Sequence, residues 1–238
     1  MQEVKMFIEM RDAVKQYGHG EAAVRALDRA SFSMKKGKIG VILGASGSGK
    51  STLMNMIGGI DKLDSGRIMV DNCDISQYSR KQLVGYRREK IGFVFQFYNL
   101  IPNLTARENI ETTRDIAVNE SIDIDEIMDT LNMTSFANRY PSELSGGQQQ
   151  RVAIARAIAK NPALLLCDEL TGALDSKSSK DVLSYIEKIN REYGTTVLII
   201  THNEAIQQMA DMVIHVKDGR VVSQEENDNK ISAQQLAL

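Results

Sequence analysis

The segment Gly44-Ala45-Ser46-Gly47-Ser48-Gly49-Lys50-Ser51 is a complete G-x-x-x-x-G-K-[ST] sequence. Its glycines let the backbone curl closely, so that successive N–H groups converge on an anion. Lys50 supplies a positive charge for the β- and γ-phosphates of a nucleotide, and the Ser51 hydroxyl is a ligand for Mg²⁺. Thr52 belongs to the same anion-binding helix start. The apolar run Ile39-Gly40-Val41-Ile42-Leu43 precedes the loop, and a helical pattern carrying Leu53, Met54, Met56 and Ile57 follows it. Strand, glycine loop and helix form the context a phosphate-binding loop requires. That context argues against a flexible Gly/Ser turn.

A phosphate loop alone leaves kinases, GTPases, helicases and transporters open. A second candidate lies at Leu144-Ser145-Gly146-Gly147-Gln148, followed by Gln149-Gln150-Arg151 and an alanine-rich helical run. Ser145, Gly146 and Gly147 make another helix start with a small hydroxyl and unobstructed N–H groups, again suited to an anion. Taken alone, such a start is usually only a cap. The third candidate is Leu164-Leu165-Leu166-Cys167-Asp168-Glu169, an apolar strand ending in two carboxylates. Asp168 could sit near Mg²⁺ and Glu169 near an attacking water, although strands often end in acidic turn residues.

Together, and in this order, the three segments resemble the ABC ATPase family, from about Tyr17 to about Val222. The resemblance implies an α/β fold: a P-loop NTPase core with an N-terminal antiparallel β subdomain and an inserted α-helical subdomain. It implies Mg-ATP as cofactor, with Asp168 as the Walker B aspartate and Glu169 as the catalytic glutamate. Ser145, Gly146, Gly147 and Gln148 become the signature that closes over the ATP of a second subunit, and Asp175 the loop residue that touches that subunit. Gln96 matches the glutamine that senses Mg²⁺ and water, so Ser51, Gln96 and Asp168 form the implied metal set. His202 matches the histidine that contacts the γ-phosphate. Tyr17 matches the aromatic residue that stacks on adenine, a role any flat π-face can fill.

The extended signature Gln149-Gln150-Arg151 and the run from Phe95 to Pro102 are similar to the macrolide-export, lipoprotein-release and FtsE-like group. That likeness implies a pair of ATPase subunits, a homodimer for preference, driving a separate integral membrane permease of the FtsX or MacB kind. Export and mechanotransmission both fit. Two departures stand out: Leu170 where the family has proline, and Thr112 and Thr113 in a stretch, Glu111 to Asn119, where a more apolar run is expected. Two rivals remain. One is a non-transport ABC ATPase of the iron–sulfur assembly kind, and the other a regulator of a cell-wall hydrolase acting through its permease. DNA-repair members need coiled-coil or zinc insertions, and none is visible.

The elements that must position these residues follow from periodicity. Phe7–Met10, Ala30–Met34, Ile39–Leu43, Arg67–Val70, Ile91–Phe95, Ala163–Cys167 and Thr195–Ile200 read as strands. Helical signals dominate from Thr105 to Lys160, opening on the capping box Thr105-Ala106-Arg107-Glu108, and return at Lys177–Arg191. The organisation expected is one domain: an α/β core lobe over 1–97 and 161–224, a helical lobe over 98–160, and a polar tail over 225–238 with a loose end.

Composition removes other classes. With 29 basic against 31 acidic residues, the net charge of -2 lacks the basic excess of a nucleic-acid binder. Met1 to Lys15 mixes charges with apolar residues, has no uninterrupted apolar h-region and does not read as a signal peptide. The apolar runs are strand-sized, far short of the roughly 20 residues a membrane-spanning helix needs. Work at a membrane therefore calls for another chain, with this one peripheral on the cytoplasmic side. The two cysteines, Cys73 and Cys167, are too far apart for a local metal or redox motif, and Cys167 reads as a small buried residue.

Overall fold

The computed structural model describes residues 6–118 and 120–238; Met1–Lys5 of the N-terminal stretch, and Asn119, lie outside them. In chain order the elements begin with β1 (Ile8–Tyr17), β2 (Val24–Met34), β3 (Ile39–Leu43), α1 (Lys50–Ile57) and β4 (Ser65–Val70). Next come β5 (Cys73–Asp74), α2 (Arg80–Lys90), β6 (Ile91–Val94), α3 (Ala106–Arg114), α4 (Ile124–Thr130) and α5 (Gly146–Ile158). The chain ends with β7 (Leu164–Asp168), α6 (Ser176–Tyr193), β8 (Thr196–Thr201), β9 (Met212–Lys217) and β10 (Arg220–Glu226). They form two compact units, Met1–Arg87 with Ile200–Lys230 and Arg88–Ile199 with Ile231–Leu238.

The first unit holds an antiparallel sheet in the order β2-β1-β4-β5. It also holds β9, antiparallel to β10 on one side and parallel to β3 on the other. β3 is buried at all five positions, which its continuous apolar run predicts for a strand covered on both faces. β1 is longer than the four residues legible from alternation. Ile8, Met10, Ala13 and Lys15 point inward, but a register shift between Met10 and Ala13 inserts a residue, with Asp12 at φ 47°. A β-bulge of this kind breaks the period-two signal.

In the second unit β6 and β7 pair in parallel, Gly92 opposite Leu165. A β-carbon on Gly92 would stand 2.7 Å from the Ala157 carbonyl oxygen, so glycine lets the end of α5 approach this strand closely. α3 opens on the expected capping box of Thr105 and Glu108. α6 is capped by the Asp175 carboxylate, which accepts from the Ser178 N–H, and is stopped by Gly194 at φ 65°. It buries Val182, Leu183, Ile186 and Ile189 along one face.

The chain end is not loose, contrary to the expectation from its polar composition. β10 runs on through Glu226, and Ala233–Gln235 form a 3₁₀ turn. Ala233 and Leu236 are buried; the Ala233 N–H donates to Glu187 at 3.0 Å and the Gln234 amide donates to the Ser184 hydroxyl at 2.9 Å. Two apolar residues three apart on a capped turn suffice to seat the segment on α6. Among the described residues no helix is long and apolar enough to cross a membrane.

Candidate functional site

The phosphate loop lies in the first unit, between β3 and α1. Gly44 has no room for a side chain: a β-carbon would stand 2.2 Å from the Val216 carbonyl oxygen and 2.6 Å from the Ser48 hydroxyl. Gly49 takes φ 104° and caps α1, and a β-carbon there would meet the Ala26 carbonyl at 2.4 Å. Gly47 (φ 78°) has open space around it, and Ala45, Ser46 and Gly47 are exposed. The loop is thus wedged at both ends and open along its middle. Lys50 is buried, its ammonium donating to the carbonyls of Gly44 at 2.7 Å and Ala45 at 2.8 Å. The charge is held at the loop's own mouth. The Ser48 hydroxyl is buried with no hydrogen-bond partner among the described residues. A buried hydroxyl of this kind is costly unless something bonds it, and an anion in the cradle would do so. Ser51 is exposed and Thr52 half-buried on the first turn of α1.

Two more expected residues share this unit. Tyr17 ends β1, and its hydroxyl donates to Asp61 at 3.0 Å. Burial and then the Asp61 carboxylate push the Tyr17 phenol above its ordinary pKa. His202, just beyond β8, is exposed.

The second unit carries the remaining candidates. Ser145 is the N-cap of α5 in a full capping box, its hydroxyl accepting from the Gln148 N–H at 3.4 Å while Gln148 accepts from the Ser145 N–H at 2.8 Å. A β-carbon on Gly147 would stand 3.3 Å from Ser178 on the first turn of α6. The signature start and the Asp175-capped helix are therefore neighbours. Asp168 closes β7, and Glu169 follows at φ 50°, a left-handed conformation unusual for glutamate. Gln96 lies beside the turn after it: its amide nitrogen would be 3.3 Å from a β-carbon on Gly172. Leu170 is buried, at 3% exposure. The side chain standing where the family has proline is therefore a core residue.

Several residues that hold this arrangement carried no sequence signal. Asn109, fully buried on α3, accepts from the Ile101 N–H at 2.8 Å and donates to the carbonyls of Ile101, Leu104 and Thr105. Arg156 on α5 donates to the carbonyls of Tyr98 at 2.8 Å and Asn99 at 2.6 Å. Burial lowers the Arg156 pKa. These bonds stiffen the segment after Gln96, which borders a groove of about 370 Å³ lined by residues that include Phe97, Tyr98, Leu100, Pro102, Pro141 and Gln149. Phe97 is 74% exposed. Only buried partners in space, not neighbours in sequence, reveal Asn109 and Arg156.

Among the described residues no group of three or more His, Cys, Asp or Glu could hold a metal ion. Mg²⁺ here would need phosphate oxygens and a hydroxyl among its ligands, which suits the ion's habit of binding through one or two carboxylates and a substrate's phosphates. Ser51, on the first turn of α1, offers that hydroxyl.

A wedged glycine cradle with a buried lysine, and a second glycine-rich helix start beside an aspartate-capped helix, define a nucleotide-binding cassette. Residues 27–172 match the ABC transporter family, and the chain belongs to that family. It is 42% identical over 219 residues to an ABC transporter ATP-binding protein of Mycoplasma pneumoniae, the MG467 homolog, covering 90% of this chain and 65% of that one. It is 42% identical over 226 residues to the ABC transporter ATP-binding protein MJ0796 of Methanocaldococcus jannaschii, covering 92% and 96%. To the macrolide export ATP-binding/permease protein MacB of Pasteurella multocida it is 40% identical over 236 residues, covering 96% of this chain but only 36% of MacB. The chain thus spans just under two-thirds of the first relative and about a third of the last. The solved dimer of MJ0796 in a post-hydrolysis state with ADP and Pi superposes with a TM-score of 0.82 at 40% identity, over 92% of this chain and 98% of that one. The fold is accordingly the ABC ATPase cassette, α/β with an antiparallel β part and a mixed sheet.

Proposed function

We propose that the chain binds and hydrolyses Mg-ATP as one half of a two-fold pair, and that the closing and opening of the pair drives a separate membrane permease. The observation that carries this reading is the phosphate loop: wedged backbone, exposed middle, buried Lys50 and a Ser48 hydroxyl in want of a partner. Residues Gly44 to Thr52 receive the phosphates, Tyr17 the adenine, and Ser51, Gln96 and Asp168 the metal. Glu169 polarises the attacking water and His202 contacts the γ-phosphate. Ser145 to Gln148 and Asp175 serve the ATP of the partner subunit, which fits an exposed Ser145 at a helix start. The solved MJ0796 dimer supports the pairing, and a two-fold pair makes the two interfaces identical.

The permease is supported by the joint ATP-binding and permease naming of MacB, of which this chain matches a third. The helical lobe, 98–160, is the part proposed to meet it, on the groove beside Phe97. The protein then sits peripherally at the cytoplasmic face of the membrane. The test is recovery of the tagged chain from detergent-solubilised membranes, with mass spectrometry of what co-purifies. An integral membrane chain retained in stoichiometric amount is expected. Recovery free of any membrane protein, with full ATPase activity, would favour the non-transport class instead.

A further inference from the structure

We infer that Asp61 and Lys15 are positioning residues for Tyr17, locking its ring so that one face is preset for the adenine base. The inference rests on the proposal that Tyr17 is the adenine platform. Its geometry lies wholly within the first unit. One carboxylate oxygen of Asp61 receives both the Tyr17 hydroxyl at 3.0 Å and the Lys15 ammonium at 3.0 Å. Lys15 is 9% exposed and donates as well to the Lys62 carbonyl at 2.7 Å. Its ammonium stands 5.1 Å from the centroid of the Tyr17 ring, over one face. Lysine is almost never this buried unless paired, and here its pairing fixes an aromatic ring at both tip and face.

The far face is the one left for a ligand, because Tyr17 is 41% exposed despite these contacts. Asp61 is itself held. Burial alone would raise its pKa, but Lys15, the Lys62 N–H and Tyr17 together keep the carboxyl below its ordinary value. The acceptor stays ionised at neutral pH. A tyrosine at the end of a strand, followed by Gly18, would otherwise lose rotamer freedom on stacking. A ring already fixed avoids that loss.

Titration calorimetry with Mg-ATP and with inorganic tripolyphosphate, which has no base, separates the possibilities. Stacking of a base on an aromatic side chain contributes about five- to 150-fold in affinity. Tyr17→Ala should lose that whole factor for ATP. Asp61→Ala and Tyr17→Phe should each lose a part of it, about three- to tenfold, and neither should change tripolyphosphate binding. In a Tyr17→Ala background, Asp61→Ala should add nothing. Tyr17→Phe removes only the hydroxyl that bonds Asp61 at the surface, and keeps the test open if Asp61→Ala folds poorly. If Tyr17→Ala weakens ATP while Tyr17→Phe and Asp61→Ala bind it normally, the clamp is wrong and the platform stands. Equal weakening of ATP and tripolyphosphate by Asp61→Ala would also overturn the clamp. Unchanged ATP affinity in Tyr17→Ala would remove the platform and the clamp with it.

Discussion

The Tyr98 hydroxyl lies 2.9 Å from where a β-carbon on Gly146 would stand, so the wall of the groove rests directly on the signature. Arg156, two turns along the same helix from Gln149, holds the backbone of Tyr98 and Asn99 from the other side. Glycine at 146 is what lets the phenol sit there. A load applied in the groove would therefore reach the start of α5 through Tyr98 as well as through Gln149, which lines the groove itself.

This contact decides which residue probes the groove cleanly. Tyr98 is a poor choice, because its substitution disturbs Gly146 as well. Phe97→Asp should leave ATP turnover by the isolated subunit unchanged and abolish co-purification with the membrane chain, since Phe97 is 74% exposed. Co-purification at the wild-type level would remove Phe97 from the docking surface.

The chemistry was more legible in the sequence than the scaffolding that holds it. Gly44 to Ser51 identify themselves because their chemistry demands fixed neighbours at fixed spacing. The alternation of β1 does not survive the bulge at Asp12, so two-thirds of that strand is missed. Asn109 and Arg156 look like ordinary helix-surface residues until their carbonyl partners, brought by other segments, are seen. The tail reads as loose because Ala233 and Leu236 are too few to make a pattern, although they are buried. Leu170 is the reverse case: its departure from the family is plain in the sequence, but its burial is not.

That burial carries a stability cost that can be measured. Leu170→Ala should lower unfolding free energy by about 2–5 kcal/mol, the range for emptying a buried leucine site. Denaturant titration checks it. A change below about 0.5 kcal/mol, typical of a surface position, would mean that Leu170 is not part of the core.

Lys50→Ala should abolish or severely weaken ATP binding, because it takes the charge from the mouth of the cradle. Calorimetry with Mg-ATP reads this directly. Wild-type affinity in the variant would contradict the phosphate-loop assignment.

Ser145→Arg tests the division of labour between subunits. Since Ser145 is exposed at the N-cap of α5, arginine there should block closure of the pair and hydrolysis while leaving ATP binding by the monomer nearly intact. Loss of the capping hydroxyl costs about 1 kcal/mol, too little to unfold the chain. Loss of monomer binding would place Ser145 in its own subunit's site.

The central claim is that ATP closes the pair and its hydrolysis, driven by Glu169, opens it again. Glu169→Gln keeps the shape of the side chain and removes the base, and Glu169 follows directly on β7 in a left-handed backbone conformation. A positioned general base contributes about 10²–10⁴ in rate, roughly 3–5 kcal/mol of barrier. With ATP binding spared, the variant should accumulate as an ATP-bound dimer on size-exclusion chromatography, with turnover reduced by at least a hundredfold by that measure. Asp168→Asn, by contrast, should lose Mg²⁺-dependent affinity and run as a monomer. The decisive measurement is the elution position and turnover of Glu169→Gln in Mg-ATP: a stable dimer with arrested hydrolysis is the predicted result, and a monomer hydrolysing ATP at the wild-type rate would contradict it.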